Sequence, residues 1–223
     1  TSLLRISLWR GSGAAATVLL HSIRLQTPAI AILRGTELTA PGETGLAEAS
    51  ATRALRLFEK AGIPATLVSD NLSALDLRRT ALLVLPYNPG LSKTQLDILE
   101  RFVKRGGHLA VFYQSSTRLA RLLGFEILPY ATQSENWTTL SFRQPDVPGL
   151  PASMPHLTQH LLPVRAADAS ALVLGHWLTP DGIPDRSLPA AALSKDGLWF
   201  SHLPPLASAS AVQWLLACLS HLD

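Results

Sequence analysis

Apolar positions along the chain fall into two kinds of pattern. Ala29–Leu33, Ala81–Leu85 and Leu109–Tyr113 are short, nearly continuous apolar blocks, the signature of strands buried on both faces. Ala65–Val68 predicts a further short strand ending at Asp70. Between these blocks the spacing becomes helical. Over 46–61, Leu46, Ala49, Ala54, Leu57, Phe58 and Ala61 share one face, with Arg53, Arg56 and Lys60 largely outside it, and Gly62 and Pro64 end the run. The next helix opens on Ser92 with Gln95 three residues later, a capping-box pattern. Leu96, Leu99, Phe102 and Val103 form its buried stripe, Lys104 and Arg105 its last turn, and Gly106-Gly107 its stop. Ser116–Leu123 predicts a short helix ending at Gly124. Strands alternating with helices predict an α/β fold, an open and mainly parallel sheet with helices on both faces.

The pattern becomes more β-rich beyond Phe125. Trp137–Phe142 alternates, Asp146–Pro155 reads as a Pro-rich loop, and Ala171–Leu178 and Ala190–Ser194 read as strands. Leu198–His202 continues beyond an Asp196-Gly197 turn. A last helix, about Ser208 to Leu222, is expected to bury Val212, Leu215, Leu216 and Leu219. At the other end, Leu3–Trp9 and Ala16–Ile23 flank Gly11-Ser12-Gly13 and predict a β-hairpin, closed by Pro28. Residues 1–28 are therefore expected to be an appendage or the end of a preceding module, and residues 29–223 the α/β domain.

Composition narrows the function. The chain is 47% hydrophobic and 16% charged, which excludes intrinsic disorder. Its longest apolar stretches, such as Ala14–Leu20, are far short of the ~20 residues of a membrane-spanning helix. One cysteine excludes an internal disulfide framework or a cysteine-rich zinc site. A net charge of +3 spread over scattered Arg and Lys reads as solvated surface rather than a nucleic-acid stripe. The chain opens on Thr1, which we read as a fragment or processed product.

In an open parallel sheet, ligands bind beyond the carboxyl ends of the strands. Those ends supply Arg34, Thr36, Glu37, Asp70, Tyr87, Asn88, Tyr113, Gln114 and Ser115. The same residues could equally cap helices and satisfy strand-end amides. Ser115 and Ser116 have His176 and His202 downstream, but no Gly-x-Ser-x-Gly elbow is present, and Ser116 suits a helix N-cap. Cys218 lies in an apolar helical face and reads as a small buried hydrophobe. His156 and His160 are four apart, yet Pro155 argues against the helix that such a metal pair needs. Gly11-x-Gly13-x-x-Ala16 matches a relaxed dinucleotide fingerprint, but β-favouring Thr17–Leu20 follows where a helix is required. Asp181, Asp185 and Asp196 sit in turn-like settings. Trp137, Trp177 and Trp199 could stack on sugar rings or fill a core. No cofactor and no metal are expected.

Several segments together carry a resemblance. Leu85-Pro86-Tyr87-Asn88-Pro89, then Phe102-Val103 with Gly106-Gly107-His108-Leu109, then Phe112-Tyr113 and Leu119–Gly124 resemble a class I glutamine amidotransferase-like, flavodoxin-like domain. More narrowly, they resemble the version that precedes the catalytic barrel in some bacterial family-10-like glycoside hydrolases. Ala191–Leu193 and Gly197–His202 are similar to the same group. Amidotransferases of this class place a cysteine nucleophile on the turn after the strand matching Leu109–Tyr113, with a His-x-Glu pair much later. The matching position is Tyr113, and no His-x-Glu occurs in this chain. A phenol with an ordinary pKa near 10 is a poor substitute for a thiolate.

The resemblance thus implies a non-catalytic accessory domain of a larger glycoside-hydrolase-like protein, serving domain packing, oligomerisation or carbohydrate positioning. The partners it implies are a polysaccharide or cell-wall glycan, other domains of the same chain, or a second copy, in an extracytoplasmic or secreted setting. The alternative is a small ester, amide or glycoside hydrolase using Ser115 or a carboxylate such as Glu37.

Overall fold

The computed structural model describes residues 29–35, 39–72, 77–143 and 147–222. The expected hairpin over 1–28, its glycine fingerprint, Thr36 and Glu37 lie outside these described residues. In chain order the strands and helices begin with β1 (Ala29–Arg34), α1 (Thr44–Lys60), β2 (Ala65–Ser69), β3 (Thr80–Leu85), α2 (Lys93–Lys104), β4 (His108–Phe112) and α3 (Thr117–Leu122). There follow β5 (Phe125–Ile127), β6 (Ala131–Phe142), β7 (Ser153–Leu161), β8 (Val164–Ala166), β9 (Ala171–Leu178), β10 (Pro184–Ser194), β11 (Gly197–Phe200) and α4 (Ala209–Leu219).

Nine strands form one sheet in the order β2-β1-β3-β4-β11-β10-β9-β6-β7. The pairings from β2 to β11 are parallel, whereas those from β11 to β7 are antiparallel. The expected mainly parallel sheet is thus parallel over only half its width. The β-rich C-terminal part extends that sheet antiparallel, and β5 and β8 form a separate antiparallel pair.

The continuous apolar blocks are explained by the two layers that sandwich the sheet. Ile32, Val84, Ala110, Phe112, Leu198 and Phe200 pack with residues of α1 and α4. Leu33, Leu83, Leu85, Leu109, Val111 and Trp199 pack with residues of α2 and α3. Successive side chains of a strand point to opposite faces, so both parities must be apolar when helices cover both sides. The capping box of α2 is present in full: Gln95 N–H donates to Ser92 Oγ at 3.3 Å, and Ser92 N–H to Gln95 Oε1 at 2.7 Å.

Three expectations change. The Pro-rich stretch before Pro155 is not loop throughout, because β7 runs through Pro155, which pairs in register with Thr139. β7 is an edge strand, where a missing N–H is tolerated. Strand β10 likewise starts earlier than expected, taking in Pro184 and Pro189 at register irregularities. In α4 the buried face is Ala211, Trp214, Leu215, Ala217 and Cys218. Leu216 is 44% exposed, with Val212 and Leu219 only partly buried.

Gly197 opens β11 opposite Leu109 of β4. A Cβ on Gly197 would collide with the Leu109 carbonyl. The two halves of the sheet meet on this strand, and its first residue has room for no side chain.

Candidate functional site

The candidate site lies where β3, β4 and β11 end. Tyr113 directly follows β4 and takes φ 45°. Among the described residues it is the only non-glycine with positive φ, a conformation that costs an L-residue roughly 1–2 kcal/mol. Its N–H donates to Phe200 O at 3.1 Å, tying the bend to β11.

Gln114, 2% exposed, secures the far side of the bend. Its Oε1 accepts from the N–H groups of Ser115 and Ser116 at 2.7 and 3.0 Å, while its Nε2 donates to Asn88 O at 2.5 Å. Ser116 Oγ then accepts from Leu119 N–H at 3.3 Å and starts α3. The result is a sharp strand-to-helix elbow, a geometry that presents the nucleophile in α/β-hydrolases. The side chain it presents is a phenol.

That phenol sits among aromatic neighbours. The Tyr113 ring stacks on Tyr87, with centroids 6.2 Å apart and planes inclined 20°, and meets His202 edge-on at 5.2 Å. Tyr130 lies beside its hydroxyl. These are all three tyrosines of the chain. Tyr130 in turn shares a hydrogen bond of 2.5 Å with His160 Nδ1, their rings nearly parallel. His202 Nδ1 and His156 Nε2 share one of 2.8 Å.

Burial sets the protonation states. It raises the Tyr113 phenol pKa, assisted by the adjacent Tyr130 hydroxyl, and raises that of Tyr87, assisted by Glu43. It lowers His156 to about 4, with the Arg53 charge adding to the effect. His202 falls to about 3 through burial, then His156, Arg53 and His160. At neutral pH these phenols and this imidazole pair are uncharged. For that bond one nitrogen must carry the proton and the other must be free to accept it.

The predicted residues divide by role. Tyr87 and Tyr113 come together in the site, and Gln114 and the Asn88 backbone brace it. The Asn88 side chain is 4% exposed, and both its polar atoms lack a partner among the described residues. Asp70 is buried at the end of β2, two strands beyond β3, its carbonyl accepting from Gln95 Nε2 at 2.9 Å. Ser115 is exposed, and among the described residues no histidine hydrogen-bonds the hydroxyl of Ser115 or Ser116. His176 faces β6 and β10 instead, opposite Ser141 and Pro189.

Trp137, Trp177 and Trp199 are 7%, 0% and 0% exposed, so none of them is available to a sugar ring. They are core residues, and the Trp177 indole donates to Ser201 Oγ at 2.9 Å. Cys218 is fully buried, which pushes its thiol pKa up.

Sequence reasoning missed Tyr130, and considered His156 and His160 only as a metal pair rather than as part of this site. The available signal was the alternation Met154, His156, Thr158 within a strand, which Pro155 and the neighbouring prolines hid.

No protein-family model and no curated protein matches the sequence. Solved structures do resemble the fold. A ThuA-like protein from Bacteroides uniformis matches with TM-score 0.64 at 13% identity, over 91% of this chain and 95% of that one. A GMP synthase component from Thermoplasma acidophilum matches with TM-score 0.58 at 10% identity, over 87% and 93%. A GH42 β-galactosidase from G. stearothermophilus matches with TM-score 0.61 at 17% identity. The match covers 87% of this chain but 30% of the β-galactosidase, so the chain spans about a third of that enzyme's length. These likenesses fit an amidotransferase-like fold. At such identities they describe architecture, and the chemistry must be argued from this chain's own residues.

Proposed function

We propose that this chain is a non-catalytic amidotransferase-like accessory domain, flavodoxin-like in its parallel half, belonging to a larger glycoside-hydrolase-like protein. Residues 29–223 form the domain in this reading, and residues 1–28 are an appendage or the end of a preceding module. One observation carries the proposal: the strained elbow after β4, tied to β11 and braced by Gln114, presents Tyr113. The bend that exposes a nucleophile in amidotransferases is kept, while the group on it is a phenol held protonated by burial. The surrounding imidazole pair is too buried to ionise near neutral pH, and no His-x-Glu is present. The likeness to part of a GH42 β-galactosidase supports a supporting role in a larger hydrolase, packing against a catalytic module and positioning its polysaccharide in an extracytoplasmic setting.

The test is chemical. The chain is incubated with glutamine and with ester, amide and glycoside substrates, and followed by turnover and intact mass. The expected result is neither product nor covalent adduct. Turnover abolished by Ser115→Ala or Glu37→Gln would replace this reading with a small hydrolase.

A further inference from the structure

We propose that the strand-end cluster of Tyr113, Tyr130, His160 and His202 is a binding surface for an uncharged carbohydrate. The inference rests on the accessory-domain reading and adds the ligand class and the residues that contact it. Tyr130 is 51% exposed. His160 beside it is also exposed, and Tyr113 and His202 are partly so. The near-parallel Tyr130–His160 pair, 14° between planes, offers an aromatic platform to solvent, with the Tyr113 and His202 rings behind it.

The polar chemistry of this surface is of one kind. A phenol donates and accepts, and a neutral imidazole donates from one nitrogen and accepts at the other. Sugar hydroxyls make the same dual demand, while the C–H faces of a pyranose pack on aromatic rings. Among the described residues, Glu43 acts on Tyr87 and Arg53 on the histidine pair, two charges of opposite sign. Arg53 also donates to Pro204 O at 3.4 Å. With these two charges opposite in sign, the described residues favour an uncharged ligand over a uronate or phosphate, whose recognition calls for an unopposed cation.

The experiment titrates the chain calorimetrically with neutral gluco-, galacto- and xylo-oligosaccharides, and with oligogalacturonides as the charged comparison. At least one neutral oligosaccharide is expected to bind, and the uronides at least tenfold more weakly. Tyr130→Ala and His160→Ala, both at exposed positions, are expected to weaken binding about tenfold, the scale of one lost aromatic contact. On the wild-type chain, the ring signals of His160 and His202 should shift in NMR spectra during the titration, a readout that survives a variant failing to fold.

Absence of binding to every neutral oligosaccharide, equal binding by Tyr130→Ala, or a preference for uronides would overturn the inference. None of these would affect the accessory-domain reading, which fails instead on turnover or adduct formation.

Discussion

Tyr113 combines a costly backbone with a packed side chain, and substitutions can separate the two. Tyr113→Gly and Tyr113→Val both lose the contacts with Tyr87 and His202. Only valine retains the backbone penalty, worsened by its β-branch at positive φ. The valine variant is expected to be less stable than the glycine variant by about 1–2 kcal/mol in urea unfolding. The reverse order would mean that the bend relaxes once the ring is gone. The histidine pair predicts a pH effect of definite sign. His156 and His202 are neutral in both folded and unfolded chains above pH 6.5, and their folded values lie near 4 and 3. As pH falls below 6.5 the unfolded chain takes up protons first, so stability is lost at up to about 1.4 kcal/mol per pH unit per histidine. Thermal unfolding between pH 7 and pH 4.5 should therefore drop more steeply for the native chain than for His156→Phe. At this scale the sequence was half legible. The strand-end rule reached Tyr87 and Tyr113, because the ends of buried parallel strands are marked by where their apolar blocks stop. It could not reach Tyr130, in the link before β6, or His156 and His160 on β7, because antiparallel pairing is not written in local periodicity.

Among the elements, α2 was read most fully, since its cap, stripe and stop are all local signals. Its capping box gives a graded prediction. Ser92→Ala should cost about 1 kcal/mol, the usual worth of an N-cap. Gln95→Ala should cost more in the same denaturation assay, because Gln95 also donates to the Asp70 carbonyl from a buried position. Equal costs would show that the link from α2 to the end of β2 contributes nothing. The last helix was misread for a physical reason. Ala209–Leu219 is apolar almost all round, so periodicity alone does not select a buried face. Tertiary packing does, by seating Trp214 against Phe112 and Phe200 and leaving Leu216 outward. Strand β7 was partly hidden because proline counts against a strand unless the strand is known to lie at an edge, which is a fact of the whole sheet.

The described residues are built around one nine-stranded sheet with a change of direction. β11 pairs parallel with β4 on one side and antiparallel with β10 on the other, and the candidate site hangs on this seam through Tyr113 and Phe200. Gly197→Ala should cost about 2 kcal/mol or more, because its Cβ meets backbone rather than a movable side chain. Gly42→Ala, with nothing near the added methyl, should be close to neutral in the same melt. The α/β class, the helices on both faces and the β-rich C-terminal part could all be read from apolar spacing. The merging of that part into the same sheet could not, because β11 comes last of all the described strands yet sits fifth of nine across the sheet. A ribosome must therefore synthesise all the other described strands before the central strand exists. Until then β4 and β10 each present an unpaired edge, open to the wrong neighbour. Renaturation should be slow, as expected for pairings distant along the chain, and a nascent chain stopped before Gly197 should need a chaperone to stay in solution.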